Sequence, residues 1–247
     1  MAETQSAPEK AAQEKTSPET PPDIYRLDRT ITRWIIGLLA QLFFRIYGRL
    51  KVVGIENVPR TGGVLIAGNH ASNLDPVLGW AALRGYRHIW GIGKSELFKN
   101  KIMAYCIHSM GAIPIRRGMV DRYVFKRTLE LLAQGEAVGI FPEGTRTYDG
   151  LLNPGQAGVG LMIHKSGVPV VPAALIGTYE MLPRGAKGLR RVPLTMAFGK
   201  PILFPPDTSR EVIAEAIMIE IAELLTANGR PTEPPAPERA ALLKAED

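Results

Sequence analysis

Apolar positions along this chain fall in two registers. Seven short runs are almost continuously apolar and often β-branched: KVVGIE (51–56), GVLIAG (63–68), HIWGIG (88–93), AIPI (112–115), AVGIF (137–141), PVVPAALIG (169–177) and LTMAFG (194–199). Runs of this length, bounded by turn residues, predict strands buried on both faces. Between them the spacing turns helical. DRYVFKRTLELLAQG places Val124, Phe125, Thr128, Leu129, Leu131 and Leu132 on one face, with Gly135 set to end the helix. QAGVGLMIHKSG predicts a second helix stopped by Gly167 and Pro169, and Asp75-Pro76 opens another. A last helix starts near Thr208, where Thr208 and Glu211 have capping-box spacing, and carries Ile213, Ile217 and Leu224 as its apolar stripe. Strand and helix in alternation predict an α/β fold, a single domain with a mixed, largely parallel sheet flanked by helices.

The segment preceding the first strand is different. Residues 24–50 are strongly apolar, with Trp34, Ile35, Ile36, Leu38, Leu39, Leu42, Phe43, Phe44, Ile46 and Tyr47. Arg29, Arg33, Gly37, Gln41, Arg45 and Arg49 recur every fourth position and wind a polar or small stripe beside the apolar face. A spanning helix needs about 20 predominantly apolar residues. The uninterrupted run here, Trp34 to Ala40, is much shorter. The pattern predicts an amphipathic helix lying in a membrane interface; the alternative is a long helix docked on the protein's own core. Deleting residues 1–49 is then expected to weaken vesicle binding.

Residues 1–22 are rich in Pro, Glu, Ser, Thr and Gln and read as a disordered tail, as do residues 230–247. The boundaries that follow are a tail (1–22), an amphipathic segment (23–50), an α/β domain (51–229) and a second tail (230–247). The formal net charge is +6, which favours an acidic partner such as a phosphorylated substrate or an anionic membrane surface. Nucleic acid fits poorly, because aromatics are only 7% and no RNA-binding signature is present. One cysteine, Cys106, excludes an intramolecular disulfide and thiolate metal clusters. His88, His108 and His164 lack metal-ligand spacing, and GIGKSE lacks the upstream glycine of a phosphate-binding loop.

In α/β sheets chemistry gathers at strand ends. NHASNLD (69–75) follows GVLIAG and sets His70 five positions before Asp75. A carboxylate that holds one ring nitrogen leaves the other as a proton acceptor. The same residues also suit a plain turn, with Asp75 capping the helix and His70 in a polar loop. Asn69 and Ser72 are placed to brace the turn. FPEGTRT (141–147) ends another strand and brings Glu143, Gly144, Thr145 and Arg146 together, and GAIPIRRG (111–118) ends a third with Arg116 and Arg117. Arginine forks suit phosphate oxygens, and glycine permits close backbone approach.

NHASNLD, GAIPIRRG, FPEGTRT and GVPVVPAAL, in that order, resemble the four motifs of the glycerolipid acyltransferase family, and within it the 1-acylglycerol-3-phosphate acyltransferases. The resemblance covers about residues 50–205; Thr147 stands where serine is common. It implies acyl transfer from a thioester, acyl-CoA or acyl carrier protein as co-substrate, to the free hydroxyl of lysophosphatidic acid, with no acyl-enzyme and no metal or other cofactor. It further implies His70 as base, Asp75 as its orienter, and Arg117, Glu143, Gly144, Thr145 and Arg146 around the glycerol phosphate. Lys94 is a further phosphate candidate, and Pro172 would shape the acceptor pocket. The location expected is the cytoplasmic face of a membrane. Two alternatives stay open: an acyltransferase with another lysophospholipid or a non-lipid acceptor, and a basic membrane-binding protein without catalysis.

Overall fold

The computed structural model describes residues 28–94, 107, 110–115 and 122–235. The runs form strands β1 (Lys51–Val53), β2 (Val64–Gly68), β3 (Ile89–Lys94), β4 (Ala112–Ile115), β5 (Ala137–Ile140), β6 (Val170–Ile176) and β7 (Thr195–Phe198). The helices are α1 (Asp28–Ile46), α2 (Asp75–Ala82), α3 (Arg122–Ala133), α4 (Ala157–Ser166), the single turn α5 (Thr178–Met181) and α6 (Arg210–Ala227). The seven strands make one sheet in the order β1-β7-β6-β2-β5-β3-β4. Every neighbouring pair is parallel except β6 with β7. The sheet is therefore mixed and largely parallel, as the alternation of runs predicts.

Alternate residues of each strand face two cores. Leu65, Val138, Val170 and Ala174 pack with α3, α4 and α6, while Val64, Ile66, Val171 and Leu175 pack with α1 and α2. Burial on both faces is why the strands are nearly unbroken in their apolarity. Close approach of the outer helices depends on glycine: a Cβ at Gly160 of α4 would lie 1.8 Å from the Arg210 carbonyl oxygen at the start of α6.

The capping signal falls one residue later than expected. Ser209, not Thr208, caps α6, its hydroxyl accepting from the Val212 N–H at 3.3 Å, and Glu211 pairs with Arg210. The next correction is on α1. Gly37 and Gln41 of its small and polar stripe face inward, whereas Arg45 is exposed: Gly37 sits where a Cβ would be 2.9 Å from Trp80, and the Gln41 side-chain amide donates to the Ala81 carbonyl. Phe44 is the core residue on this face. On the opposite side Ile35, Leu39, Leu42 and Ile46 form an exposed apolar stripe. The reason is steric, since only a seam of small residues lets α1 lie close against α2. Among the described residues no helix is long and apolar enough to cross a membrane.

Candidate active site

β2 passes the chain to α2 on one face of the sheet, and its neighbour β5 passes it to α4 on the other. Adjacent strands that exit to opposite faces leave a crevice at their carboxyl ends, the usual ligand site in such folds. His70 and the 141–147 turn lie there.

The His70 turn is braced from every side. Asn69 is buried and extends the ladder to β6: its Nδ2 donates to the Leu175 carbonyl at 3.0 Å, and its Oδ1 accepts the Leu175 N–H at 2.7 Å. Ser72 Oγ donates to the Leu182 carbonyl at 2.8 Å. The His70 carbonyl accepts the Thr147 N–H at 2.9 Å, and the Phe141 ring stacks on the imidazole at 4.1 Å between centroids. Phe141 escaped sequence reasoning, although its place directly after a strand next to β2 is the signal that finds it.

Asp75 is fully buried, and its Oδ2 accepts three hydrogen bonds: from the N–H groups of Ala71 and Ser72, both at 2.6 Å, and from His70 Nδ1 at 2.9 Å. The two backbone donors lie before α2, so Asp75 braces the turn rather than capping the helix's own first N–H groups. An oxygen already accepting two N–H groups carries no hydrogen. The contact with His70 therefore requires Nδ1–H to donate, which leaves Nε2 with its lone pair. In the neutral ring the geometry favours the Nδ1–H tautomer.

Glu143 occupies a different place from the one its motif implies. It is 2% exposed, and its Oε1 accepts the His70 N–H at 2.7 Å while Oε2 accepts the Asn153 N–H at 3.0 Å. The carboxylate ties the two catalytic-edge loops together, and a buried negative group engaged in this way is ill suited to receive a phosphate. Asn153 is the second residue that sequence reasoning missed. Gly144, at φ 70°, and Thr145 are exposed at the tip of the turn, and Arg146 is half-buried beside them.

Pro172 lies inside β6, level with Ala67, and its ring packs where a Cβ of Gly199 would be. It belongs to the sheet interior and not to the loop that carries His70. Lys94 ends β3, in register with Ile115 of β4. Both strands finish at the same sheet edge as His70. Arg116 and Arg117 themselves lie outside the described residues.

A partly exposed histidine held by a buried aspartate thus sits at the crevice of a largely parallel sheet, and the sequence comparison supplies the class. The chain belongs to the acyltransferase family, whose model matches residues 49–176. Among particular relatives, a chloroplastic 1-acyl-sn-glycerol-3-phosphate acyltransferase of Brassica napus is 32% identical over 206 residues, 79% of this chain and 58% of that protein. The 1-acyl-sn-glycerol-3-phosphate acyltransferase of Bacillus subtilis is 30% identical over 155 residues, 63% of this chain and 74% of that one. The chain spans about half the length of the chloroplastic relatives it matches. The crystal structure of the 1-acyl-sn-glycerophosphate acyltransferase of Thermotoga maritima has the same fold, with a TM-score of 0.65 at 24% identity over 79% of this chain and 80% of that one.

Proposed function

We propose that this protein transfers an acyl group from a thioester, acyl-CoA or acyl carrier protein, to the free hydroxyl of 1-acylglycerol-3-phosphate, giving phosphatidic acid. The observation that carries the reading is the 2.9 Å contact between His70 Nδ1 and the buried Asp75 carboxylate. Asp75 holds Nδ1–H at 2.9 Å, so Nε2 is the acceptor for the hydroxyl proton. As that proton moves to Nε2, the oxygen attacks the thioester carbonyl. The tetrahedral intermediate then expels the thiolate, which takes the proton back from the imidazolium. The products are an ester and a free thiol, with no acyl-enzyme between them. The names carried by the relatives from Brassica napus and Bacillus subtilis support the acceptor.

Lys94 and Arg146, with Gly144 and Thr145, are the groups assigned to the glycerol phosphate at the edge where β3 and β5 end, and Arg117 is assigned to it from its motif alone. The exposed stripe of α1 lies in the interface of a membrane, at its cytoplasmic face, and the lysolipid enters from that surface. A thioester-release assay with lysophosphatidic acid tests the reading. His70→Ala is expected to lower turnover by about a hundred- to ten-thousand-fold, the range of general base catalysis, with vesicle binding retained. Unchanged turnover in His70→Ala, or preference for an acceptor without phosphate, overturns it.

A further inference from the structure

A second cationic surface lies on the active-site side of the sheet, and the proposed reaction does not use it. Thr195 of β7 pairs with both Ile176 of β6 and Lys51 of β1, so the end of α1 and the 183–193 loop both sit at the sheet edge that carries His70. The Ser72 hydroxyl binds the Leu182 carbonyl, tying the root of that loop to the His70 turn. The Tyr47 hydroxyl donates to the Leu189 carbonyl at 3.2 Å, tying its far side to α1. The loop is exposed and carries Arg184, Lys187, Arg190 and Arg191 around an exposed Leu189. No acidic residue occurs between Glu180 and Asp207. Arg184 stacks on Tyr148, whereas Lys187, Arg190 and Arg191 meet no carboxylate among the described residues.

Where the loop meets α1 there is a cleft of about 110 Å³ lined by Tyr47, Arg49, Arg191, Val192 and Pro193. One of its arginines follows α1 and the other comes from the 183–193 loop. Arg49 is also the one non-glycine residue with positive φ, 46°, among the described residues. Glycine is the ordinary residue for such a helix end, and an arginine there is held at some conformational cost. A strained, exposed arginine that lines a small cleft together with a second arginine suits a tetrahedral anion.

We propose that this cleft binds the phosphate of an anionic bilayer phospholipid, with Lys187 and Arg190 adding attraction for the surrounding headgroups. The source is the bilayer because the cleft adjoins the end of the apolar stripe of α1, and because an apolar Leu189 among cations suits a headgroup layer. The site is separate from the one that takes the reacting lysolipid. It sets which way the His70 crevice faces the membrane. The inference rests on the reading of α1 as a bilayer-facing helix, and each part has its own control.

The test is cosedimentation of the full chain with phosphatidylcholine vesicles, with and without phosphatidylglycerol. The variant is Arg49→Gly with Arg191→Gln. Each basic residue near an anionic surface contributes about fivefold in partitioning, so the pair is expected to lose roughly 25-fold on anionic vesicles. Binding to neutral vesicles and turnover of a short-chain, water-soluble lysophosphatidate are expected to stay unchanged. Arg49→Gly also relieves the backbone, so Tm is expected to hold or rise while binding falls, which a purely structural arginine would not give. Undiminished binding to anionic vesicles overturns the proposal. So does a raised KM for the soluble lysophosphatidate, which assigns the cleft to a substrate, and so does displacement from neutral vesicles alone. Protection of the cleft by millimolar inorganic phosphate, with vesicle binding unaffected, assigns it to a free anion and equally overturns it. The α1 reading fails separately, if Leu39→Ser with Leu42→Ser leaves binding to neutral vesicles intact.

Discussion

Glu143 shows how one buried carboxylate organises the chemistry of another residue. Its two oxygens accept the N–H groups of His70 and Asn153, which belong to different loops. Removing it leaves two buried donors unsatisfied, at about 1–3 kcal/mol each. Glu143→Ala is therefore expected to lower Tm by several degrees and to lower kcat, as the His70 turn loses its tie to the 141–153 loop. Thermal denaturation alongside steady-state kinetics checks this. A residue that only held substrate phosphate would instead raise KM and leave Tm unchanged. Asp75 works on the same principle. Its Oδ2 serves two backbone donors as well as the imidazole, so the residue that fixes the tautomer also fixes the loop. His70 and Asp75 were legible in sequence because a strand end followed by a helix start brings them together locally. Glu143 was legible as a turn residue. Its inward aim was not, because the N–H groups it binds lie 73 and 10 positions away.

Helices and strands in this fold are held by contacts that tolerate little extra volume. A Cβ at Gly160 would collide with the Arg210 carbonyl, so Gly160→Ala must separate α4 from α6. Overpacking of this kind costs about 1–3 kcal/mol, measurable as a lowered denaturation midpoint at constant m-value. α1 presents the opposite case. Leu39 and Leu42 are 61% and 44% exposed, and replacing both with serine is expected to move stability by no more than about 0.5 kcal/mol per site. The same pair is expected to reduce partitioning onto vesicles. Periodicity in α1 predicted the helix and its two faces but not which face turned inward. Of the alternatives posed by the sequence, a helix docked on the core describes one side of α1, and its other side is an exposed apolar stripe. The seven strands were each visible as apolar runs, while α5, a single turn, has too few residues for any period to register.

Over the whole molecule, α1 is part of the fold rather than an attachment to it. Phe44 is buried with Leu78, Leu194 and Phe198, and the Gly48 carbonyl accepts the Leu194 N–H at 2.8 Å. Deleting residues 1–49 is therefore expected to destabilise the domain as well as weaken membrane binding, because losing a buried Phe side chain alone costs about 3–5 kcal/mol. Differential scanning calorimetry of the truncated chain checks this, with a marked drop in Tm as the expected result. Arg87 closes the opposite edge of the sheet. Its guanidinium donates to the carbonyls of Pro59, Thr61, Gly62 and Gly135, pinning the loop before β2 to the turn before β5. Desolvation lowers its pKa, and Glu136 partly offsets that.

The amino-acid sequence by itself determined the elements, their alternation and the pairing of His70 with Asp75, because those depend on local periodicity and on residues a few positions apart. The strand order, the crevice between β2 and β5, the inward aim of Glu143, the burial of Pro172 and the outward aim of the α1 stripe were decided only by tertiary structure. Each depends on groups distant in sequence competing for one buried space. Arg49 belongs to both levels: its charge is plain in the sequence, and its strained backbone beside the cleft it shares with Arg191 exists only once the chain has folded.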